Sequence, residues 1–161
     1  MAAPTIAWYR VTGASPSRAL ITILDYGNVQ AGYWSDVRVI QAYFTGNSAN
    51  TLKFWLNDTA ATGGNVNVAN SNNWQHHYAI DYTYIDPSGI SDAIKAGSSA
   101  DTNGRTWTDL PETEPVASNF ENSTVNSGAY TDYIFMAIQP PSNAGDGLTE
   151  SWGYRLSFLY P

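Results

Sequence analysis

The stretch that decides the fold is Trp152-Gly-Tyr-Arg-Leu-Ser-Phe-Leu-Tyr160, at the end of the 161-residue chain. Large apolar or aromatic side chains occupy every second position from Trp152 to Tyr160, and Gly153, Arg155 and Ser157 stand between them. Successive side chains of a β-strand point to opposite faces of its sheet. This period of two therefore predicts a strand with one buried face.

The same alternation, or a run rich in β-forming residues, recurs along most of the chain. We expect further strands at Thr5–Thr12, Ala19–Asp25, Val37–Tyr43, Thr51–Asn57, Tyr78–Tyr84 and Tyr130–Gln139, with weaker candidates at Val66–Ala69 and Arg105–Leu110. Turn-forming glycine and asparagine residues separate these segments. The pattern predicts an all-β protein, an antiparallel β-sandwich of the immunoglobulin-like or jelly-roll kind with about 7 to 9 strands.

One short helix is predicted near residues 88–96. Asp86, Ser88 and Ser91 are suited to capping its start, Pro87 fits a first helical turn, and Gly97 fits its end. Because the segment is two or three turns long, we expect it to close one end of the sandwich.

The chain is expected to form a single β-sandwich domain over residues 19–161. Residues 1–18 are predicted to be an N-terminal arm or edge strand. Polar residues dominate 98–104 and 111–128, which we expect to be long loops. Loops of that length in a compact domain are usually functional or mobile.

The charge and residue content exclude several classes of protein. Charged residues make up 13% of the chain and the net charge is −7. The seven lysines and arginines are scattered, whereas nucleic-acid binding needs them clustered. Zero cysteines exclude disulfide frameworks and thiolate zinc sites. No uncharged apolar run is long enough for a membrane helix, and no signal peptide is visible at the start.

Residues 24–39 resemble a hairpin of immunoglobulin-like modules of the hydin and PapD-like kind. The stretch Leu24-Asp-Tyr-Gly-Asn-Val-Gln-Ala-Gly-Tyr-Trp-Ser-Asp-Val-Arg-Val39 has the aspartate, aromatic and glycine of that pattern, then a valine, a second glycine, a serine and an alternating strand. Residues 45–50 stand at the turn, and Leu52–Leu56 resembles the next strand. The resemblance implies a sandwich topology and a role in adhesion, chaperoning or assembly, including decoration of virus particles.

The sequence predicts no catalytic residues, no metal site and no cofactor. His76 and His77 are adjacent in a predicted strand, so their rings should point to opposite faces. Glu112 and Glu114 lie in a loop and do not form a carboxylate pair on a rigid scaffold. Residues 101–104 resemble the start of a calcium loop, but the glutamate that completes an EF-hand is missing, which favours a solvated turn.

The aromatic residues carry the functional signal, because six tryptophans and eleven tyrosines are too many for one sandwich core. Where two aromatic residues are adjacent in a strand, one ring can be buried and the other must meet solvent, a loop or a partner. Tyrosine and tryptophan are enriched in protein interfaces, and they also suit stacking on sugar rings. The candidate interface and binding residues are Trp8, Tyr9, Tyr33, Trp34, Trp74, Trp107 and Trp152.

These observations favour a non-catalytic structural protein that self-associates in a larger assembly. We expect its partners to be further copies and other assembly proteins, with no nucleic acid and no membrane. The expected location is a virion or extracellular assembly, and the expected role is that of a capsid decoration, head-fibre or tail protein of a phage or archaeal virus. A carbohydrate-binding module or lectin is the alternative function, and a hydrolase is the third. A further alternative is that the aromatic side chains have no partner and only fill a large core and cover the long loops.

Overall fold

A computed structural model describes residues 2–62, 74–144 and 151–161, with side chains described for residues 2–56, 74–144 and 153–161. The described strands are β1 (Thr5–Thr12), β2 (Ser17–Ile21), β3 (Arg38–Thr45), β4 (Asn50–Thr62), β5 (Gln75–Asp81), β6 (Thr108–Asp109), β7 (Ala129–Tyr130), β8 (Tyr133–Gln139) and β9 (Ser151–Leu159). A 3-10 turn at Pro87–Gly89 precedes helix α1 (Asp92–Lys95). The candidate strand Val66–Ala69 lies outside the described residues.

The strands form two antiparallel sheets. The larger has seven strands in the order β2-β1-β3-β8-β5-β6, with β7 pairing with β3, and the smaller consists of β4 and β9. This arrangement confirms the predicted all-β sandwich. Thr5–Thr12 is a strand with the predicted limits, and it lies inside the large sheet between β2 and β3. Residues 1–18 were predicted to form an arm or an edge strand. The edge strand in the structure is β2, which begins at Ser17.

The main core lies between the two sheets. Alternate residues of the large sheet face inward, among them Ile40, Phe44 and Ile134, and they pack with Phe54 and Leu56 of β4. These side chains are buried, and burying such a side chain contributes about 1.5–3 kcal/mol. The period of two in β3 and β8 thus sets one face of the large sheet against the small one.

A second core covers part of the opposite face of the large sheet. Val39, Phe135 and Ala137 point to this outer face, where Ile90 and Trp107 pack on them. The helical segment therefore lies against the outer face and does not close an end of the sandwich, which corrects the expected position. Both faces of β3 and β8 carry apolar side chains, so the sheet can be covered on both sides.

The loop after β6 covers one edge of the small sheet. The Phe54 N–H donates to Oδ1 of Asn119 at 2.8 Å, and Nδ2 of Asn119 donates to the Phe54 carbonyl at 2.7 Å. The Leu52 N–H donates to the Ser123 carbonyl, and the Leu56 N–H to the Pro111 carbonyl. Residues 111–123, expected to be a long loop, thus pair with the backbone of β4 on the side away from β9.

Candidate functional site

A cleft of about 820 Å³ opens between the two sheets. The connection from Ile21 to Val29 forms one wall, strands of the large sheet form the floor, and β4 and β9 form the other wall. The floor includes Trp8, Ile40 and Ile138, and the far wall includes Phe54, Gly153 and Tyr154. Trp74, which directly precedes β5, also lines the cleft. The volume falls within the range of roughly 300–1,000 Å³ that is common for small-molecule sites.

Three aromatic rings in contact line the inner part of this cleft. The Trp8 and Phe54 ring centroids are 6.2 Å apart with an interplanar angle of 58°, and the Phe54 and Tyr154 centroids are 5.8 Å apart at 14°. Offset or tilted arrangements at these distances are favourable for aromatic pairs. Phe54 is fully buried, whereas Trp8 and Tyr154 are half-buried and reach the cleft.

A chain of hydroxyl contacts connects the cleft to the buried histidine. The Tyr26 and Tyr154 hydroxyl oxygens are 3.0 Å apart, and the Tyr154 hydroxyl is 3.3 Å from Nδ1 of His76. Burial raises the pKa of both Tyr26 and Tyr154. Burial, aided by the nearby His77, lowers the pKa of His76 to about 3. At neutral pH both phenols are therefore protonated and the His76 imidazole is neutral, so Nδ1 can accept a hydrogen bond from Tyr154.

Arg38 fixes the wall formed by residues 21–29 to the large sheet. Its Nε donates to the Asp25 carbonyl at 2.7 Å, and one terminal nitrogen donates to the Tyr26 carbonyl at 3.0 Å. The Asp25 Oδ1 accepts a hydrogen bond from the Gly27 N–H at 2.7 Å, within a turn in which Gly27 has φ of 71°. Burial lowers the pKa of Arg38. The wall is thus held by side-chain contacts from β3 and by its own turn.

The open edge of the large sheet lies at β2. Strand β2 pairs with β1 in the register Tyr9↔Leu20 and Val11↔Arg18. Among the described residues, no backbone hydrogen bond from another segment reaches its other side. Leu20 is 65% exposed, and Ile23, just beyond the strand, is 79% exposed. Unpaired strand edges are templates for pairing with another chain.

A tyrosine surface lies next to this edge on the outer face of the sheet. The Tyr9 ring centroid is 5.4 Å from that of Tyr130, and the Tyr43 centroid is 4.7 Å from it. The guanidinium carbon of Arg18 lies 4.4 Å from the Tyr130 centroid, within cation–π distance. Arg18 also donates to Gln41 and to the Tyr133 hydroxyl. Its side chain is therefore folded over the sheet and does not extend past the edge.

The structure brings together some of the predicted site residues and separates others. Trp8 and Trp74 both line the cleft. Tyr9 belongs to the tyrosine surface and Tyr33 is exposed. Trp34 packs on His77, with ring centroids 4.8 Å apart.

The structure buries one of the other two predicted residues and does not describe the side chain of the other. Trp107 is 2% exposed and packs in the second core, where its Nε1 donates to Asp101 at 3.4 Å. Its ring therefore stabilises the interior and is not available to a partner. Trp152 lies in β9, and its side chain is outside the described residues.

Sequence reasoning missed Tyr154 and Tyr26 in the cleft, and Arg18 and Leu20 at the open edge. Tyr154 lies on the predicted inward face of the C-terminal strand, so the alternation could have placed it toward the other sheet. Leu20 lies in a segment predicted to be a strand, but no pattern within the strand shows that it is an edge. Edge position depends on pairing between distant segments.

The two histidines point to opposite faces of β5, as predicted. His76 is buried on the inner face, and Nε2 of His77 lies 2.7 Å from Oδ1 of Asp109 on the outer face. The other His77 ring nitrogen is 2.7 Å from the Lys95 carbonyl oxygen. These contacts tie β5, β6 and α1 together, which gives the His77–Asp109 pair a structural role. Across the described residues, no cluster of three or more histidine or acidic side chains could hold a metal ion.

In the described part of the chain, no helix has the length and apolar character needed to cross a membrane.

A scan against protein-family models found no match, and searches of curated proteins and of solved structures found none either. The resemblance of residues 24–56 to modules of the hydin and PapD-like kind stays a prediction.

Proposed function

We propose that this protein is a non-catalytic structural subunit that self-associates in a larger assembly. The observation that carries the proposal is the open β2 edge, with Leu20 and Ile23 exposed on and beside it. An isolated exposed leucine would need no explanation. Here, however, two large apolar side chains accompany backbone groups of β2 that have no partner among the described residues, and the tyrosine surface adjoins the strand.

The contrast between two edges of the same molecule supports this proposal. The edge of β4 is paired by the 111–123 loop through backbone groups and Asn119. The β2 edge has no such cover among the described residues, and Arg18, the one charged residue of β2, is held over the tyrosine surface. Natural proteins commonly protect an edge with charges, proline, a bulge or a covering segment. An edge without these devices is suited to a partner.

The second copy would pair its own β2 antiparallel to the first. Such a contact is isologous, because the same surface is used on both subunits, and it joins the two large sheets into one. Tyr9, Tyr43 and Tyr130 would then flank the junction, and tyrosine and arginine are the residues that most often supply binding energy in interfaces.

We place the assembly in a virion or an extracellular structure, as a capsid decoration, head-fibre or tail protein of a phage or archaeal virus. The low charge of a β-rich surface supports a protein that is surrounded by neighbours. Genes for capsid, portal or tail proteins beside its own would support this setting. Neighbouring genes for polysaccharide breakdown would contradict it.

The association is tested with Leu20→Glu, measured by light scattering coupled to size-exclusion chromatography. In a pair centred on Leu20, the two introduced carboxylates face each other across the strands, and like charges placed in this way are destabilising. We expect the variant to need at least about tenfold more protein to associate, which corresponds to about 1.4 kcal/mol.

The matched control is Val116→Glu, which adds the same charge to a fully exposed apolar residue in the 111–123 loop. Both variants should unfold within about 0.5 kcal/mol of the parent, since surface substitutions have small effects on stability. Equal weakening by the two variants, or no weakening by Leu20→Glu, would contradict pairing through β2.

A further inference from the structure

We infer that the cleft between the sheets is a binding site for an uncharged saccharide. This function goes beyond self-association. The cleft lies on the inner face of the large sheet and the tyrosine surface on its outer face, and Ile23, beside the β2 edge, is the one residue named for both because it also lines the cleft. Four observations support the site: its size, its aromatic walls, its polar rim and the sign of its charge.

The size and exposure of the cleft favour a ligand over an unfilled gap in the core. A volume of about 820 Å³ is far larger than the small voids that interrupt packed interiors. Trp8, Trp74 and Tyr154 are half-buried and face the cleft. Half-buried aromatic rings around a concave space of this volume are typical of small-molecule sites.

The rim adds hydrogen-bonding groups to the aromatic walls. Oδ1 of Asp25 accepts from the Gly27 N–H, and Oδ2 has no hydrogen-bond partner in the part of the chain that the structure describes. Asn28, next in the same wall, is exposed and offers both a donor and an acceptor. Hydroxyl groups of a sugar can donate to the carboxylate and accept from the amide, while the apolar face of the ring rests on an aromatic side chain.

The charge of the site selects an uncharged ligand. Asp25 is the one charged residue among the described residues that line the cleft, and the whole chain carries a net charge of −7. A uronic acid or a phosphorylated ligand would meet repulsion from Asp25, and the described lining residues include no cation. The guanidinium of Arg38 lies behind this wall, where it donates to the Asp25 and Tyr26 carbonyls. A neutral sugar avoids this repulsion and still uses Asp25 as an acceptor.

The wall that carries these groups is already ordered for binding. Arg38 donates to the Asp25 and Tyr26 carbonyls, and the Tyr26 hydroxyl contacts Tyr154 across the cleft. A preorganised wall lowers the ordering cost that a ligand must overcome. The Asp25 carboxylate is therefore presented at a fixed place relative to the Trp8 and Tyr154 rings.

Isothermal titration calorimetry with hexasaccharides tests the inference. The probes are neutral hexamers of glucose, mannose and N-acetylglucosamine, with a hexamer of galacturonic acid as the anionic comparison. We expect at least one neutral hexamer to bind and the galacturonate to bind at least about tenfold more weakly. Absence of binding by every neutral hexamer at millimolar concentration would overturn the inference. So would tighter binding of the galacturonate.

Variants then locate the site. Trp8→Ala should weaken binding about tenfold, whereas Trp8→Phe, which keeps an aromatic face, should lose less. Asp25→Asn keeps the acceptor for Gly27 but replaces one carboxylate oxygen with a donor, so binding should weaken several-fold. Asp25 is exposed, so this variant tests the site even where Trp8→Ala fails to fold. Unchanged affinity in Asp25→Asn and Trp8→Phe together would place the sugar elsewhere and overturn the assignment.

Two further measurements separate this inference from self-association. Leu20→Glu should bind the neutral hexamer as the parent does, because Leu20 lies on the outer face and does not line the cleft. Asp25→Asn should associate as the parent does. Loss of sugar binding in Leu20→Glu would overturn an independent site. Binding of the neutral apolar dye Nile red in the cleft, with no response to any sugar, would overturn the inference and assign the cleft to apolar ligands.

Discussion

His76 makes the stability of the protein depend on pH between 6.5 and about 3, and the part of this window above pH 5 lies above the range in which ordinary carboxylates titrate. Burial lowers its pKa from 6.5 to about 3. In the unfolded chain the imidazole takes up a proton near pH 6.5, whereas in the folded protein it resists protonation until about pH 3. Between these values the unfolded state binds more protons, so the free energy of unfolding falls as the pH falls.

The size of the effect follows from the shift. Each pKa unit corresponds to 1.36 kcal/mol, so the full loss near pH 3 is on the order of 4 to 5 kcal/mol. Between pH 7.5 and pH 5 the expected loss is about 2 kcal/mol, mostly below pH 6.5. Domains are stable by about 5 to 15 kcal/mol, so this loss is a large fraction of the total.

Urea unfolding monitored by tryptophan fluorescence at several pH values between 7.5 and 5 measures this loss. His76→Gln removes the titration but keeps an acceptor for the Tyr154 hydroxyl, so its stability should vary much less across the window. His77→Gln is the matched control, since it changes the neighbouring residue on the outer face and leaves His76 in place. Equal pH dependence in the parent and in His76→Gln would refute the reasoning.

Two further predictions concern backbone contacts and are measured by the same urea unfolding. Asn119→Ala removes both partners of the Phe54 backbone on the covered edge of β4. We expect a loss of about 2–3 kcal/mol, because buried backbone groups are left unpaired, and a loss below 0.5 kcal/mol would contradict this role. Gly97→Ala should cost at least about 1 kcal/mol, since Gly97 has φ of +72° and a Cβ there would lie 2.5 Å from the Trp107 carbonyl oxygen. Gly89→Ala, whose Cβ would meet nothing within 4 Å, is the control and should be near neutral.

The strands could be predicted from the sequence because the side-chain period of two is a local property. Thr5–Thr12 and the C-terminal strand follow directly from alternation and β-forming residues. The helical segment near residues 88–96 is also visible locally, through Asp86, Ser91 and Gly97, but the structure divides it into a 3-10 turn at Pro87–Gly89 and a four-residue helix at Asp92–Lys95. Each of these signals acts over a few residues, so no knowledge of the distant chain is needed.

The site could be predicted only in part, because it depends on contacts between segments far apart in the chain. Trp8 and Trp74 were identified as binding candidates, but nothing local places them beside Tyr154 in one cleft. Trp107 lies between two threonines beside a polar loop, which favours an exposed ring. In the structure, however, side chains of β8 and of the helical segment pack against the ring and bury it. The position of the helix on the outer face has the same origin, since Ile90 packs on side chains from several strands.

The open edge of β2 is the feature on which the proposed function depends, and sedimentation equilibrium of the unmodified protein tests it most directly. A series of concentrations from low to high micromolar should give an average mass that rises above that of the monomer, and Leu20→Glu should shift the rise to higher concentration. A mass that stays at the monomer value up to high micromolar concentration would contradict self-association as the function of this protein.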